Sequence, residues 1–199
     1  MMNRTDRYTL GAVLLHWSTG AFIVANLALG FAMVWVAPRS FRPILVPLHA
    51  CIGLTVLLLT IARIAWRVSH PAPPMPATYR AWERNLAHCA HAIFYVLLIA
   101  LPVLGYLLLS ANPPNPARKL QFWGIIQVPF FRPLLQMEPI SQKILHDQFV
   151  VMHSIAAWAI LLTLVLHIAG VVKHQVLDRE NILSRMAIVI WPGGARERS

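Results

Sequence analysis

The sequence predicts an all-α fold, an antiparallel bundle of four transmembrane helices with both termini in the cytoplasm. Of its 199 residues, 58% are hydrophobic and only 12% are charged, whereas about a quarter of an ordinary soluble domain is charged. Four apolar segments exceed the ~20 residues that a spanning helix needs, and none shows the strict alternation of a barrel strand. The chain is short enough to form one membrane domain over residues 1–199.

The predicted helices cover about residues 10–36, 44–66, 86–110 and 144–172. Pro38 closes the first helix, and Pro102 lies inside the third, where neighbouring helices are expected to satisfy the carbonyl that a proline frees. The apolar run behind the N-terminal stretch MMNRTDRYTLG is too long for the core of a signal peptide. This stretch is therefore interpreted as a short cytoplasmic tail.

Two segments outside these helices are predicted to lie at the membrane surface. The loop over residues 112–143 contains QFWGIIQVPFF, which is amphipathic and offers Trp123 as an interfacial anchor. The tail over residues 176–191 is first polar and then apolar, and we expect it to form an amphipathic interfacial helix.

Lysine and arginine residues set the predicted orientation. Eleven lie on the side of the termini and six on the opposite side, and such residues concentrate in the cytoplasm. The six on the opposite, outer side are Arg39, Arg42, Arg118, Lys119, Arg132 and Lys143. The net charge of +10 is attributed to topology and to anionic lipid headgroups. No nucleic-acid partner is predicted, because no basic patch accompanies a soluble fold.

Histidines form a stripe along the last predicted helix, at positions 146, 153, 167 and 174. Fourteen residues of α-helix return to within about 40° of the starting direction, so His153 and His167 share one face, roughly 21 Å apart. Ile160 holds the heptad position between them. A bilayer core is about 30 Å thick, so one histidine is expected near each side of the membrane. Ionisable groups inside such segments are usually functional.

Depth in the membrane pairs these two histidines with two others. His16 lies about two turns inside the first helix, at the level of His167 near the cytoplasmic side. His49 lies just inside the outer end of the second helix, at the level of His153. Helix bundles commonly build cofactor sites from such facing side chains. The sequence therefore predicts an inner pair, His16 and His167, and an outer pair, His49 and His153.

Each pair is predicted to bind haem, because two opposing imidazoles can hold a haem iron from both faces. A zinc site normally wants four ligands, with cysteine or carboxylate included. A proton relay normally shows an acidic residue deep inside a span, and none lies there.

Four basic side chains are candidates to pair with haem propionates. They are Arg63 and Arg67 at the inner level, and Arg42 and Lys143 at the outer level. The alternative for each of them is a snorkelling side chain that only sets topology.

Three further histidines have no clear role. His88 and His91 lie at the inner end of the third helix, at the level of the inner pair. Either could replace an axial ligand or lie beside a quinone, and contact with propionates or headgroups is the simpler interpretation. His146 continues the stripe beyond the outer pair, where it could guide a proton, bind a substrate or cap the loop.

The histidines lie within longer motifs. These are LLHW at 14–17, LHACIG at 48–53, ARIAWR at 62–67, AHCAHAIFYVLLIALPVLGY at 87–106 and MHSIAAWAILLTLVLHIAG at 152–170. Together they resemble the bacterial cytochrome b561 family, from residue 8 to about residue 186. The resemblance implies a four-helix inner-membrane protein with two haem b groups, ligated by the inner and outer histidine pairs. Some members of this family are superoxide oxidases that pass electrons to ubiquinone, and others are known only as electron-transferring cytochromes.

The predicted function is electron transfer within the bacterial inner membrane. The donor is superoxide or another outer-side donor, such as a redox partner protein, the acceptor is ubiquinone, and the loop over residues 112–143 admits the electrons. Whether the chain is itself an enzyme, a superoxide:ubiquinone oxidoreductase, is left open. One alternative is a cytochrome b subunit that anchors a soluble dehydrogenase or hydrogenase. The other is a histidine-lined metal transporter, which would show no haem absorption.

Overall fold

Four long helices dominate the fold. A computed structural model of the chain describes residues 7–75, 78–112 and 119–187. The long helices are α1 (Leu10–Trp35), α2 (Arg42–Ser69), α3 (Ala81–Ser110) and α5 (Pro139–Val172); β1 (Leu120–Phe122), β2 (Ile126–Val128) and the short α4 (Arg132–Leu135) lie between α3 and α5. All four long helices are long and apolar enough to cross a bilayer. The prediction of four spans is confirmed, and the cytoplasmic location of the termini stays a prediction.

The two ends of the bundle differ in what covers them. One end, here called the terminus end, carries residues 7–9, the linker between α2 and α3, and the tail after α5. The other end, here called the hairpin end, carries β1, β2 and α4.

Two helices begin earlier than their hydropathy predicts. Helix α3 begins at Ala81 and α5 at Pro139, and both open with a polar turn, AWERN and PISQK. In α3 the Glu83 carboxylate accepts a hydrogen bond of 2.9 Å from the backbone N–H of Arg80, which satisfies a donor at the helix start. Local capping chemistry therefore extends α3 beyond its apolar run.

The helices pack mainly in the order α1, α2, α3, α5. Helix α5 packs closely on α3 and only sparsely on α1 and α2. Ile23, Val56, Leu98 and Ile160 form the central apolar layer, one residue from each long helix, and each is at most 8% exposed. Phe22, Leu27, Phe94, Leu97 and Leu101 pack around this layer. The heptad position that the sequence gives to Ile160 is therefore at the centre of the core, where that residue is 1% exposed.

A β-hairpin at the hairpin end departs from the predicted all-α fold. Strands β1 and β2 pair antiparallel, and Trp123 (φ 49°) and Gly124 (φ 71°) lie in the turn between them. The Trp123 indole N–H donates to Thr55 Oγ1 at 3.0 Å, and the Cys51 thiol donates to the Gln121 carbonyl at 3.1 Å. Trp123, predicted to anchor the loop in the lipid interface, thus also fixes the hairpin to α2.

Replacing Trp123 by phenylalanine is expected to loosen this hairpin without affecting the core. The variant keeps an aromatic ring but loses one hydrogen bond, which is worth about 1 kcal/mol, or roughly fivefold faster amide exchange from locally open states. Hydrogen–deuterium exchange of residues 119–131 measures the effect. Trp35→Phe is the matched control, because Trp35 is 75% exposed. Equal exchange in both variants would show that the indole bond does not hold the hairpin.

Over residues 178–187, the tail after α5 does not form the interfacial helix that the sequence predicts for residues 176–191. Helix α5 continues as one π-helical turn over Lys173–Leu177, Arg179 then adopts a left-handed φ of 56°, and a short 3-10 helix covers Leu183–Met186. Residues 188–191 of the predicted helix lie outside the described residues.

Polar contacts tie this tail to the linker before α3 and to the first turn of α3. Lys173 Nζ donates to Glu83 at 2.5 Å and to Asp178 at 2.8 Å. The bond from Lys173 lowers the pKa of Asp178. The Tyr79 ring stacks on His174 with centroids 4.2 Å apart, and burial, followed by the nearby Glu180 carboxylate, raises the pKa of Tyr79 to about 12. The tail is therefore bound to the terminus end by charged and aromatic contacts.

Candidate haem-binding site

The structure brings both predicted histidine pairs together. The rings of His16 and His167 have centroids 6.3 Å apart with an angle of 66° between their planes. The rings of His49 and His153 have centroids 6.1 Å apart and an angle of 74°. The inner pair lies toward the terminus end and the outer pair toward the hairpin end, with Ile160 and its apolar layer between them.

Both distances suit two imidazoles bound to one iron from opposite faces. A metal–imidazole bond is about 2 Å long, and each ring centre lies roughly 1.1 Å behind its nitrogen, which places the two centroids about 6.2 Å apart. Each pair also joins helices that scarcely pack on each other, because α5 contacts α1 and α2 only sparsely. A planar group could therefore lie between the paired rings without separating two closely packed helices.

The ring nitrogens of the outer pair are partly fixed by their surroundings. His153 Nδ1 lies 3.1 Å from the Leu101 carbonyl, so Nδ1 donates and the other ring nitrogen keeps its lone pair. His49 interacts with the backbone of Asn26, yet its buried Nδ1 has no partner in hydrogen-bonding geometry among the described residues. The buried Nδ1 of His16 also lacks a partner within that part of the chain. Buried nitrogens without partners cost about 1–3 kcal/mol each, so these imidazoles are suited to an additional bound group.

Two glycines leave room for the outer imidazoles. A Cβ atom at Gly30 would lie 3.1 Å from Cε1 of His49, and one at Gly105 would lie 3.3 Å from Cε1 of His153. Both contacts are tighter than ordinary van der Waals packing, so a larger residue would displace the ring. The residues present therefore fit a bis-histidine haem.

A third imidazole belongs to the inner level. The His91 ring lies 5.7 Å from that of His167 at an angle of 88°, and His91 Nδ1 lies 2.6 Å from the Ala87 carbonyl. His88, one turn nearer the terminus end, is exposed and lines a cavity there. Of His88 and His91, the two histidines that the sequence places at the inner level without a clear role, only His91 is therefore in contact with the inner pair.

The two candidate propionate partners at the inner level, Arg63 and Arg67, also differ in whether they interact with the inner pair. The Arg63 guanidinium interacts electrostatically with His16 and His167, and it lies 5.9 Å from the centre of the Tyr95 ring. Arg67 lies one turn farther along α2 and is exposed. Of these two arginines, Arg63 is therefore the one that interacts with the inner pair.

At the outer level the candidate cations are less suited. Lys143 Nζ pairs with Asp147 at 2.8 Å, and both side chains are more than half exposed. Arg42 is exposed at the start of α2. Pairing with Asp147 occupies Lys143, which the sequence offered as a propionate partner.

His146 is tied to α3 and does not join the outer pair. Its Nδ1 lies 3.2 Å from the Leu108 carbonyl, so this nitrogen donates its proton to the backbone. Sequence reasoning counted Gly30 among the small residues around the sites but missed Gly105, which packs on the outer imidazole of His153. A glycine that lies on a different helix from the histidine it packs against carries no clear signal until the helices are packed.

Comparison with known proteins gives one family and several relatives. The model of the family described as prokaryotic cytochrome b561 matches residues 7–187. The chain is similar to cytochrome b561 homolog 2 of Escherichia coli, with 27% identity over 187 residues that cover 92% of this chain and 93% of the relative. It is similar to cytochrome b561 homolog 1 of the same organism, with 26% identity over 188 residues, 91% of this chain and 97% of the relative. A probable superoxide oxidase CybB of Yersinia pestis is 28% identical over 103 residues, 52% of this chain and 58% of the relative.

Proposed function

This chain belongs to the prokaryotic cytochrome b561 family of haem b-containing, electron-transferring membrane proteins, and we propose that it is a di-haem member that oxidises superoxide and reduces ubiquinone. The observation that carries the proposal is the geometry of the inner and outer histidine pairs. Their ring centroids are 6.3 and 6.1 Å apart, and α5 contributes one histidine to each pair. His16 and His167 hold the inner haem, and His49 and His153 hold the outer one. The relative described as a probable superoxide oxidase supports superoxide as the donor.

His16 is preferred over His91 as the partner of His167 because of helix packing. A haem held by two histidines would need room between them, so the helices that bear them would have to stand apart. Helix α3, which bears His91, packs closely on α5, whereas α1 packs on α5 only sparsely. We assign His91 to the side of the His167 ring.

The other residues hold the imidazoles and exclude water. Haem b supplies one-electron oxidation and reduction when bound at these histidines. The Leu101 carbonyl fixes the ring of His153, and the apolar layer around Ile160 keeps water from the space between the two levels. Arg63 is placed to neutralise a propionate at the inner level.

Superoxide capture at the hairpin end is expected to depend on charge. Arg39, Arg42, Lys119 and Arg132 are exposed there, and Arg118, also predicted on this side, lies outside the described residues. Such cations attract an anion over a distance that salt shortens. Raising the ionic strength from about 20 mM to about 200 mM should slow haem reduction by superoxide severalfold.

Stopped-flow absorbance of the haem measures this rate. The variant Arg39→Glu/Arg42→Glu should be slower at low salt and less sensitive to added salt. Arg179→Glu, at the terminus end, is the control and should match the wild type. A rate independent of salt would remove electrostatic steering.

The proposal as a whole is tested on the purified full-length protein. Two superoxide anions should yield two molecules of oxygen, while one ubiquinone takes up the two electrons and two protons to become ubiquinol. A reduced-minus-oxidised spectrum with two haems per chain and superoxide-dependent ubiquinol formation is the expected result. A colourless protein would overturn it, and so would a haem protein that superoxide does not reduce. Co-purification of a soluble dehydrogenase in the latter case would favour the membrane-anchor alternative.

A further inference from the structure

A cavity of about 460 Å³ opens at the terminus end, outside both histidine pairs. Its polar lining comes from three parts of the chain: Tyr8 before α1, Arg67 near the end of α2, and Arg84 and His88 in the first turns of α3. The linker residues 72–75 form an apolar wall. Cationic and neutral donors thus converge on one space, and none of the described residues lines it with a carboxylate.

The acidic residues nearest this cavity are already engaged elsewhere. Glu83 and Asp178 both accept from Lys173, at 2.5 and 2.8 Å, and Glu180 accepts from Thr78. Arg84 donates through Nη1 to the Tyr79 carbonyl at 2.7 Å, which holds the side chain in place and leaves its other N–H groups free.

Arg67 is the second guanidinium of the cavity. Its side chain forms no hydrogen bond or ion pair within residues 7–75, 78–112 and 119–187. The cavity therefore presents two guanidinium groups with unused donors.

The cavity is held open by contacts that do not involve a ligand. Arg185 donates to the Pro74 carbonyl at 2.6 Å, which fixes the linker wall against the tail. The Tyr8 backbone N–H donates to the Arg185 carbonyl at 3.3 Å, which fixes the opposite side. A wall containing Pro73 and Pro74 also has little backbone freedom to lose on binding. The site is thus largely preformed.

We propose that this cavity binds the phosphate of an anionic phospholipid headgroup. Arginine presents a planar set of donors that matches phosphate oxygens, and basic pockets between transmembrane helices bind anionic headgroups. The cavity lies where α2 ends and α3 begins, which is the depth of headgroups for helices of this length.

Apolar surface for the acyl chains lies beside the two arginines. Val68 is 81% exposed next to Arg67, and Leu86 is 60% exposed between Arg84 and His88. A soluble phosphate compound would use the guanidinium groups but not these side chains. The lipid is therefore favoured over a free phosphate.

The test uses the full-length haem-loaded protein in nanodiscs that contain equal amounts of phosphatidylglycerol and phosphatidylcholine. Native mass spectrometry should find phosphatidylglycerol retained preferentially by the wild type. Arg67→Gln/Arg84→Gln should reduce that retention about fivefold or more, since each charge-assisted contact contributes on the order of a factor of several. Arg84→Gln alone should give part of the loss. Arg39→Gln/Arg42→Gln removes the same charge at the hairpin end and should leave retention unchanged.

Two further readouts separate this site from its competitors. Haem content should stay at the wild-type value in the double variant, and a loss of haem would assign the arginines to the haem site and overturn the proposal. Calorimetry of the wild type with inorganic phosphate should show no saturable binding at these two arginines. Binding at the arginines is recognised because the double variant would abolish it. Such binding without phosphatidylglycerol enrichment would also overturn the lipid, in favour of a soluble phosphate compound. Equal lipid retention in all variants would exclude the site.

Discussion

Replacing His153 or His167 by alanine is expected to remove one haem per chain, and replacing both is expected to remove all of it. Each of these two histidines is half of a different pair, with its partner about 6 Å away by ring centroids. A bis-histidine iron that loses one ligand loses about half of its protein bonds and changes spin state. The low-spin absorbance band per chain should therefore fall by about half in each single variant.

Haem extraction with pyridine, together with protein quantification, measures this loss. His146→Ala is the matched control on the same helix stripe, because His146 Nδ1 bonds to the Leu108 carbonyl and its ring belongs to neither pair. It should keep both haems. A single variant that loses both haems, or neither, would contradict the assignment of one α5 histidine to each level.

The same assay decides the inner partner. His16→Ala should lose the inner haem, whereas His91→Ala should retain it, since α3 packs too closely on α5 to admit a group between His91 and His167. The opposite result would exchange the roles of these two histidines.

The four spans and the two histidine pairs could be predicted from sequence because both follow from helix geometry. A fourteen-residue spacing fixes His153 and His167 on one face of any α-helix. The length of an apolar run then fixes how deep each histidine lies. Neither argument needs to know how the helices pack.

The hairpin could not be predicted because its contacts are distant in sequence. Each of its strands has three residues, too few to show a period of two. Trp123 occupies a left-handed conformation that its own sequence disfavours. Bonds to Cys51 and Thr55, about 70 positions earlier in the chain, stabilise it. Such contacts appear only when α2 is placed beside the loop.

The tail was mispredicted for a similar reason. Its apolar residues suit an amphipathic helix, but Asp178 and Arg185 make polar bonds with Lys173 and the linker at Pro74. These bonds hold the backbone in an irregular conformation, and they would be lost if the segment formed a regular helix. The first turns of α3 and α5 escaped prediction because they are polar, and hydropathy marks only the part of a helix that lies in lipid.

Replacing Gly30 by valine is expected to remove the outer haem while leaving the inner one in place. A Cβ atom at this position would lie 3.1 Å from Cε1 of His49 and 3.6 Å from its Nδ1. Valine adds two methyl groups beyond that atom, so the imidazole must move away from its position opposite His153. Overpacking of this kind costs about 1–3 kcal/mol, enough to disrupt axial ligation without unfolding the bundle.

The expected haem content is therefore one per chain, with the spectrum of the inner site retained. Gly30→Ala should give a partial effect, since a single methyl group displaces the ring by only a few tenths of an ångström. Alanine also favours the helix over glycine by up to about 1 kcal/mol, so a fall in haem content without a fall in thermal stability would identify the cause as local. Ala28→Val adds two methyl groups at an exposed position on the same helix and should keep both haems. Two haems in Gly30→Val would show that His49 does not need this space, and the outer site would then require another ligand.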